Sequence, residues 1–289
     1  MIYSISGNQI FSAFDVGGTS KAKAYDISGE EVFSTATSIK VMSYNVGQWY
    51  YGGQVAVPAD KDAAYYALQN AMIANADADI LCMNEYLSEF SATGRTALSL
   101  LSQYFPYIHE QNGTGTVTSS TGRCICSKYP ISNYSVHTYA TSGSPRYYDS
   151  CTITINGTPI TVVVTHLNYN ATSDTSRVSQ LQELITFLQG QTHFIACGDL
   201  NTLYAKTTEE ADYRTMIQLL LNAGFNLANC DDGRFLITYS DQPTGTYVGC
   251  LDNIITSYDI VSAYVDDTKL NDGLTEKTDH MPLIATLRI

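Results

Sequence analysis

The sequence predicts an α+β domain in which mixed β-sheets are covered by helices, and three observations carry that expectation. Across 289 residues, 44% hydrophobic against 15% charged residues supply a sizeable core and too little charge for disorder or a coiled coil. From Ile39 onward, apolar runs of strand length alternate with segments of helical period. Asn156-Gly157 joins two β-prone arms into a hairpin, which favours mixed or antiparallel pairing over a purely parallel wind. Strands with helices packed outside them imply two stacked sheets or one covered sheet.

Residues 1–38 read differently from the rest. Ala13-Phe14-Asp15-Val16-Gly17-Gly18 recurs as Ala24-Tyr25-Asp26-Ile27-Ser28-Gly29, a short internal repeat of β-prone residues ending in turn formers. It predicts a small β-rich appendage suited to attachment. The nearby Gly17-Gly18-Thr19-Ser20-Lys21 lacks the spacing of a phosphate loop.

Residues 39–289 form the second expected domain. A strand over 39–46 leads to a helix over 60–75, which carries Ala64, Leu68, Ala71 and Met72 on one stripe. A strand over 80–83 and a helix over 91–103 follow. Short strands within 107–131 flank a Gly- and Thr-rich loop at 112–122, and the hairpin spans 149–165. Val178, Leu181, Leu184, Ile185 and Leu188 give the helix over 174–189 an apolar face ahead of the run at Phe194. A helix over 213–222 and strands over 252–256, 260–265 and 282–288 complete the chain.

A formal charge of −13 argues against a protein that holds nucleic acid through a broad basic surface, because that affinity comes from Lys and Arg displacing counterions. A metal-dependent nuclease remains open, since a bound cation reverses the field that a phosphate meets. Seven cysteines, an odd number with several inside apolar runs, argue against a disulfide framework, and no pair has the usual zinc-ligand spacing. Cys124 and Cys126 alternate onto one face of a strand. No run approaches the roughly twenty apolar residues of a membrane span, and the N-terminus lacks the regions of a secretory signal. The chain reads as soluble, with its compartment open. Sequons at Asn112, Asn133, Asn156 and Asn170 matter only in a eukaryotic secreted protein.

Chemistry concentrates at the ends of strands. Val41-Met42-Ser43-Tyr44 leads to Asn45, and Ile80-Leu81-Cys82-Met83-Asn84 leads to Glu85. Val162-Val163-Val164-Thr165 exits into His166 and Asn168, and Phe194-Ile195-Ala196-Cys197-Gly198 into Asp199 and Asn201. Cys250-Leu251 precedes Asp252, and Lys277-Thr278 precedes Asp279 and His280. Each of these alone reads as a helix cap or a turn. Together they form a set of carboxylates, amides and imidazoles at successive strand exits.

From Ile39 to Ile289 the chain resembles the endonuclease/exonuclease/phosphatase superfamily, through "SYNV", "ADILCMNEY", "VVVTHLN", "GDLN", "LDNI" and "TDHMPL" in that order. The superfamily includes deoxyribonuclease I-like and exonuclease III-like nucleases, neutral sphingomyelinases and inositol polyphosphate phosphatases. The resemblance implies a four-layer α/β/β/α sandwich of two mixed sheets, with the site at one end of the sheets. It implies Mg²⁺, with Mn²⁺ or Ca²⁺ as alternatives, held by Glu85 as principal ligand with Asn45 beside it and Asp279 near a second position. A hard cation of this kind prefers carboxylate and water oxygens. The resemblance further implies Asp199 with Asn201 beside the scissile phosphate, His280 oriented by Asp252, His166 on the leaving side, and Arg146 with Asn168 as phosphate contacts. Whether Asp199 or His280 is the base stays open. Asn84 stands where glutamine is commoner, and Asn253 follows Asp252 where other residues often stand.

The leading expectation is therefore a metal-dependent phosphodiesterase of the nuclease type, with nucleic acid favoured as substrate. A phospholipid or inositol phosphate hydrolase is the alternative, and a non-catalytic binding protein on the same fold the third. Substrate choice falls to loops 47–59, 112–122, 142–148 and 231–249.

Overall fold

The computed structural model describes residues 4–5, 8–9, 37–50, 57–111, 122–140, 146–169, 174–201, 211–230, 235–240, 248–268 and 279–289. Backbone contacts divide the chain into two compact units, Met1–Thr37 and Ser38–Ile289. In the first, strands β1 (Ser4–Ile5) and β2 (Asn8–Gln9) pair antiparallel. The repeat at 13–29 lies outside the described residues, as do most of the loops expected to choose the substrate.

The second unit alternates strands and helices: β3 (Ser38–Asn45), α1 (Asp62–Ala76), β4 (Ile80–Asn84), α2 (Ala97–Leu101), β5 (Tyr107–Gln111), β6 (Arg123–Ser127) and β7 (Ile131–Thr138). The hairpin β8 (Tyr147–Ile155) and β9 (Thr158–His166) turns at Asn156-Gly157, where both residues have positive φ. Then come α3 (Asp174–Gln189), β10 (Phe194–Asp199), α4 (Ala211–Asn222) and the short strands β11 (Asn226–Leu227), β12 (Tyr239–Ser240) and β13 (Val248–Gly249). β14 (Asp252–Thr256), β15 (Asp259–Val265) and β16 (Leu283–Arg288) close the unit.

Two six-stranded mixed sheets result, in the orders β15-β16-β3-β4-β6-β5 and β11-β14-β10-β9-β8-β7. In each, one central pair is parallel, β3 with β4 and β9 with β10, and the other neighbours are antiparallel.

The layers follow from the period of two along each strand. Val41, Ile80, Cys82, Val162, Val164, Ile195, Cys197 and Ile254 meet in one cluster between the sheets. Their neighbours Met42, Leu81 and Met83 turn the other way and pack with Leu68, Met72 and Leu100 of α1 and α2. On the far side Val163, Ala196 and Ile255 pack with Leu181, Leu184, Met216 and Leu220 of α3 and α4. The order is helix, sheet, sheet, helix, with strands buried on both faces, which is why they read as continuous apolar runs. All seven cysteines are buried and none forms a disulfide, several of them filling the core as small hydrophobes.

Several elements differ from expectation: β12 and β13 fall within the expected loop 231–249, and α1 buries Tyr65, Leu68, Met72 and Ile73 while Ala64 stays exposed. The helix expected over 91–103 shortens to α2, because Gly94 adopts a φ of +85° in a turn closed onto Ser91, and Thr93 and Arg95 are drawn to the Asp62 carboxylate. Thr96 then caps the helix by accepting from the Ser99 N–H. β7 was not expected as a strand. A register shift between Ser132 and Ser135, with Asn133 at a φ of +51°, breaks its alternation and hides its period.

Candidate active site

Continuing each interior alternation by one more step moves from apolar core to polar site. Val41 and Ser43 lead to Asn45, Ile80 and Cys82 to Asn84, Val162 and Val164 to His166, and Ile195 and Cys197 to Asp199. Asp252 occupies the same face as Ile254 and lies opposite Asp199 in the β10–β14 register. The inter-sheet core thus ends in a polar cap, and Asn45, Asn84, His166, Asp199, Asp252 and His280 are all buried.

Asp199 is the hub. Its Oδ2 lies 3.5 Å from His166 Nε2, 3.5 Å from His280 Nε2 and 3.0 Å from Asn45 Nδ2, while its Oδ1 accepts from the Asn201 N–H at 2.8 Å. Asn201 sits at a φ of +51°, which an asparagine tolerates, and its amide lies 2.9 Å from His166 Nε2. Asp252 Oδ2 is 2.7 Å from His280 Nδ1 and fixes that ring. Glu85 follows β4 with φ at +50°, an uncommon conformation for glutamate, and its Oε1 is 3.3 Å from Asn45 Nδ2. Asp279 is more open, with a quarter of its side chain exposed and Oδ1 4.0 Å from His280 Nε2.

The two expected phosphate contacts differ in setting. Arg146 is only 5% exposed, its Nη1 has no hydrogen-bond partner, and the charges of Asp199 and Glu85 act on it. Its guanidinium lies 5.8 Å from the ring centre of Tyr169, which is 71% exposed. Asn168 is drawn toward α3, where its amide donates to Ser176 Oγ at 3.0 Å and its N–H to Gln180 Oε1 at 2.9 Å.

Burial sets the protonation of this cluster. Desolvation raises the Glu85 carboxyl and pushes Asp199 up to about 7 against the opposing pull of the His280 charge. Burial draws His280 down, but Asp252, Asp199 and Asp279 more than offset it and push the imidazole up to about 10. Burial lowers Arg146 from its ordinary value, with Asp199 and Glu85 opposing.

The sequence profile of the Endonuclease/Exonuclease/phosphatase family matches residues 50–280. The chain belongs to this family. The family's enzymes are generally hydrolases of phosphate esters that use divalent cations. The fold is shared with D. rerio TDP2 complexed with single strand DNA product, 14% identical, TM-score 0.67, covering 88% of this chain and 100% of that one. A family protein from Leptotrichia buccalis is 19% identical, TM-score 0.62, covering 87% and 100%, and one from Beutenbergia cavernae is 16% identical, TM-score 0.63, covering 87% and 72%. No curated protein sequence matches.

The donor set suits the hard divalent cation of the family. Glu85 and Asp199 are carboxylates held near one another at a cost in desolvation, which a divalent cation relieves. Asp199, Asp252 and His280 also offer ligand atoms within 4.8 Å of one another. In that trio the Nδ1 of His280 is committed to Asp252, and the surrounding carboxylates favour the protonated imidazole over one with a lone pair to give. Glu85 is the stronger anchor. Asn45 presents Nδ2 to the carboxylates and spends Oδ1 on the Gly47 N–H, so its oxygen reaches a cation only if the amide turns.

Several residues that shape the site were missed in the sequence. Arg177, buried on α3, donates to the Asn201 carbonyl through Nη1 at 2.5 Å. Thr238 Oγ1 accepts from the N–H groups of Leu251 and Asp252, both at 3.0 Å. Asn229 Nδ2 donates to the Asp252 carbonyl at 3.2 Å and to the Leu236 carbonyl at 2.8 Å. For Arg177 and Gln180 a signal existed, since they interrupt an otherwise apolar helix face. Thr238 and Asn229 lie in loops with no period to betray them.

Proposed function

We propose that this chain is a divalent-cation-dependent phosphodiesterase of the nuclease type. The observation that carries the reading is the Asp199 carboxylate, flanked by two imidazoles and two amides at the end of the inter-sheet core, with Arg146 buried nearby and Nη1 unbonded. A carboxylate pushed up to about 7 is matched to taking a proton from water near neutral pH. His280, kept charged by Asp252, donates one hydrogen bond through Nε2 to a phosphoryl oxygen. His166 stands on the leaving side as proton donor or phosphate contact, and Arg146 meets the remaining phosphate charge. A cation held by Glu85, with Asp279 and Asn45 nearby, supplies Lewis-acid stabilisation of phosphoryl charge.

Nucleic acid is the favoured substrate. The D. rerio TDP2 structure on the same fold is complexed with a single strand DNA product. The open Tyr169 ring beside Arg146 also offers a flat apolar surface next to the phosphate position, which a base can use. The test is a panel of single-stranded DNA, duplex DNA, RNA, sphingomyelin and inositol phosphates, each with Mg²⁺ and with chelator. Mg²⁺-dependent cleavage of an oligonucleotide, lost in Glu85→Ala and His280→Ala, is the expected result. Turnover of the lipid or inositol substrates alone refutes the nuclease assignment, and no turnover of any phosphoester refutes catalysis.

A further inference from the structure

We infer that Asn84 is a positioning residue, clamping the two sheets together at the point where the active site begins. This rests on the phosphodiesterase reading for its kinetic consequence but not for its geometry. Asn84 ends β4 on the inter-sheet face, fully buried, and is paired in register with Asn45. Its side-chain amide crosses to the other sheet. There Nδ2 donates to the Thr165 carbonyl at 2.7 Å and Oδ1 accepts from the Asp199 N–H at 3.2 Å. The amide therefore offers the exits of β9 and β10 the donor and acceptor that a backbone peptide presents.

The residues gripped are the ones that matter for spacing. Thr165 is followed by His166, Asp199 carries the hub carboxylate, and Asn84 itself is followed by Glu85. One side chain thereby fixes the separation between the carboxylate on the first sheet and the carboxylate and imidazole on the second. The surroundings permit no slack. A Cβ on Gly198 would lie 2.0 Å from the Thr165 oxygen, so only glycine lets the carbonyl sit where Asn84 reaches it. Thr165 Oγ1 is also held, 2.7 Å from the buried Tyr139 hydroxyl. Aspartate at position 84 would turn a charged acceptor toward the Thr165 carbonyl, and leucine would leave two buried polar groups unmade.

Asn84→Leu separates this role from bulk stability. The expected result is a fall in kcat of about 10²-fold, the size produced by small displacements of reacting groups, with KM within about twofold of wild type. In an Asp199→Asn background the same change should add little, because its effect passes through Asp199. Amide hydrogen exchange at Asp199 should accelerate while that at Cys197 stays slow. If Asn84→Leu loses its near-ultraviolet circular dichroism, Asn84→Gln replaces it; the longer arm should give a smaller loss in kcat alone. Wild-type kcat, a rise in KM alone, or full multiplication with Asp199→Asn overturns the inference and leaves the phosphodiesterase reading intact. A wild-type protein without hydrolysis overturns the kinetic claim together with that reading, whereas the exchange experiment still judges the clamp itself.

Discussion

At the scale of single residues, protonation decides the behaviour of the site. Asp199 can serve as base only when it has lost its proton, so in the proposed reaction kcat should fall as pH drops below about 7. A bound cation opposes protonation and should move this limb lower. On the alkaline side, His280 keeps its charge until pH nears about 10, chiefly because the carboxylates around it outweigh its burial. The same raised value bears on stability. Its folded-state pKa lies above the unfolded value of about 6.5, so the contribution is complete below that pH and is lost as pH climbs through about 10. Asp252→Asn removes the carboxylate bonded to Nδ1. It should draw both the alkaline limb of kcat and the alkaline loss of stability to lower pH; a profile identical to wild type would deny Asp252 its part in holding that proton.

At the scale of elements, the strands that build the site were legible because interior alternation carries straight into chemistry. Asn45, Glu85, His166 and Asp199 each sit at the end of a readable apolar run, whereas Asp252 opens β14 and reaches the site because that strand runs antiparallel to β10; the hairpin at Asn156-Gly157 follows from two residues. The segment carrying Thr238 was not legible, having no period and no repeat. Its order comes from hydrogen bonds over long sequence separations. Thr238 Oγ1 holds the N–H groups of Leu251 and Asp252, and the Thr238 carbonyl accepts from the Met281 N–H at 2.7 Å. One residue therefore links the backbones beside both Asp252 and His280. Thr238→Val keeps the shape and removes the acceptor, leaving buried donors unsatisfied at about 1–3 kcal/mol. The melting temperature should fall by roughly 5 °C, taking about 2–4 °C per kcal/mol for a domain of this size. The kcat should fall with it; a destabilised but fully active variant would confine Thr238 to packing, and an unchanged melting temperature would deny it that role too.

At the scale of the whole molecule, the sequence could report apolar strands but not how many layers they make, because a strand buried on both faces shows no alternation. The division emerges only when Val41 and Met42, or Val163 and Val164, are seen to enter different clusters. The same limit applies to residues 1–37, whose repeat resembles nothing in the catalytic pattern. We propose that they form a separate attachment module; a protein starting at Ser38 should keep the kcat of the full chain on a soluble substrate, and loss of folding would show that the boundary is misplaced. The site itself lies between the sheets, with Glu85 on one and Asp199 on the other, both carboxyls raised by burial. A cation held by Glu85 would bind the folded sandwich and not the unfolded chain, so its binding free energy would add to the stability of the fold. At one hundred times its dissociation constant, Mg²⁺ should add about 2.7 kcal/mol. Calorimetry should show the melting temperature of the Ser38–Ile289 unit rising with Mg²⁺ and returning with chelator. In Glu85→Gln the rise should vanish while the cation-free melting temperature holds or increases, since one desolvated charge has gone. An undiminished rise in that variant would place the cation elsewhere and remove Glu85 from the site.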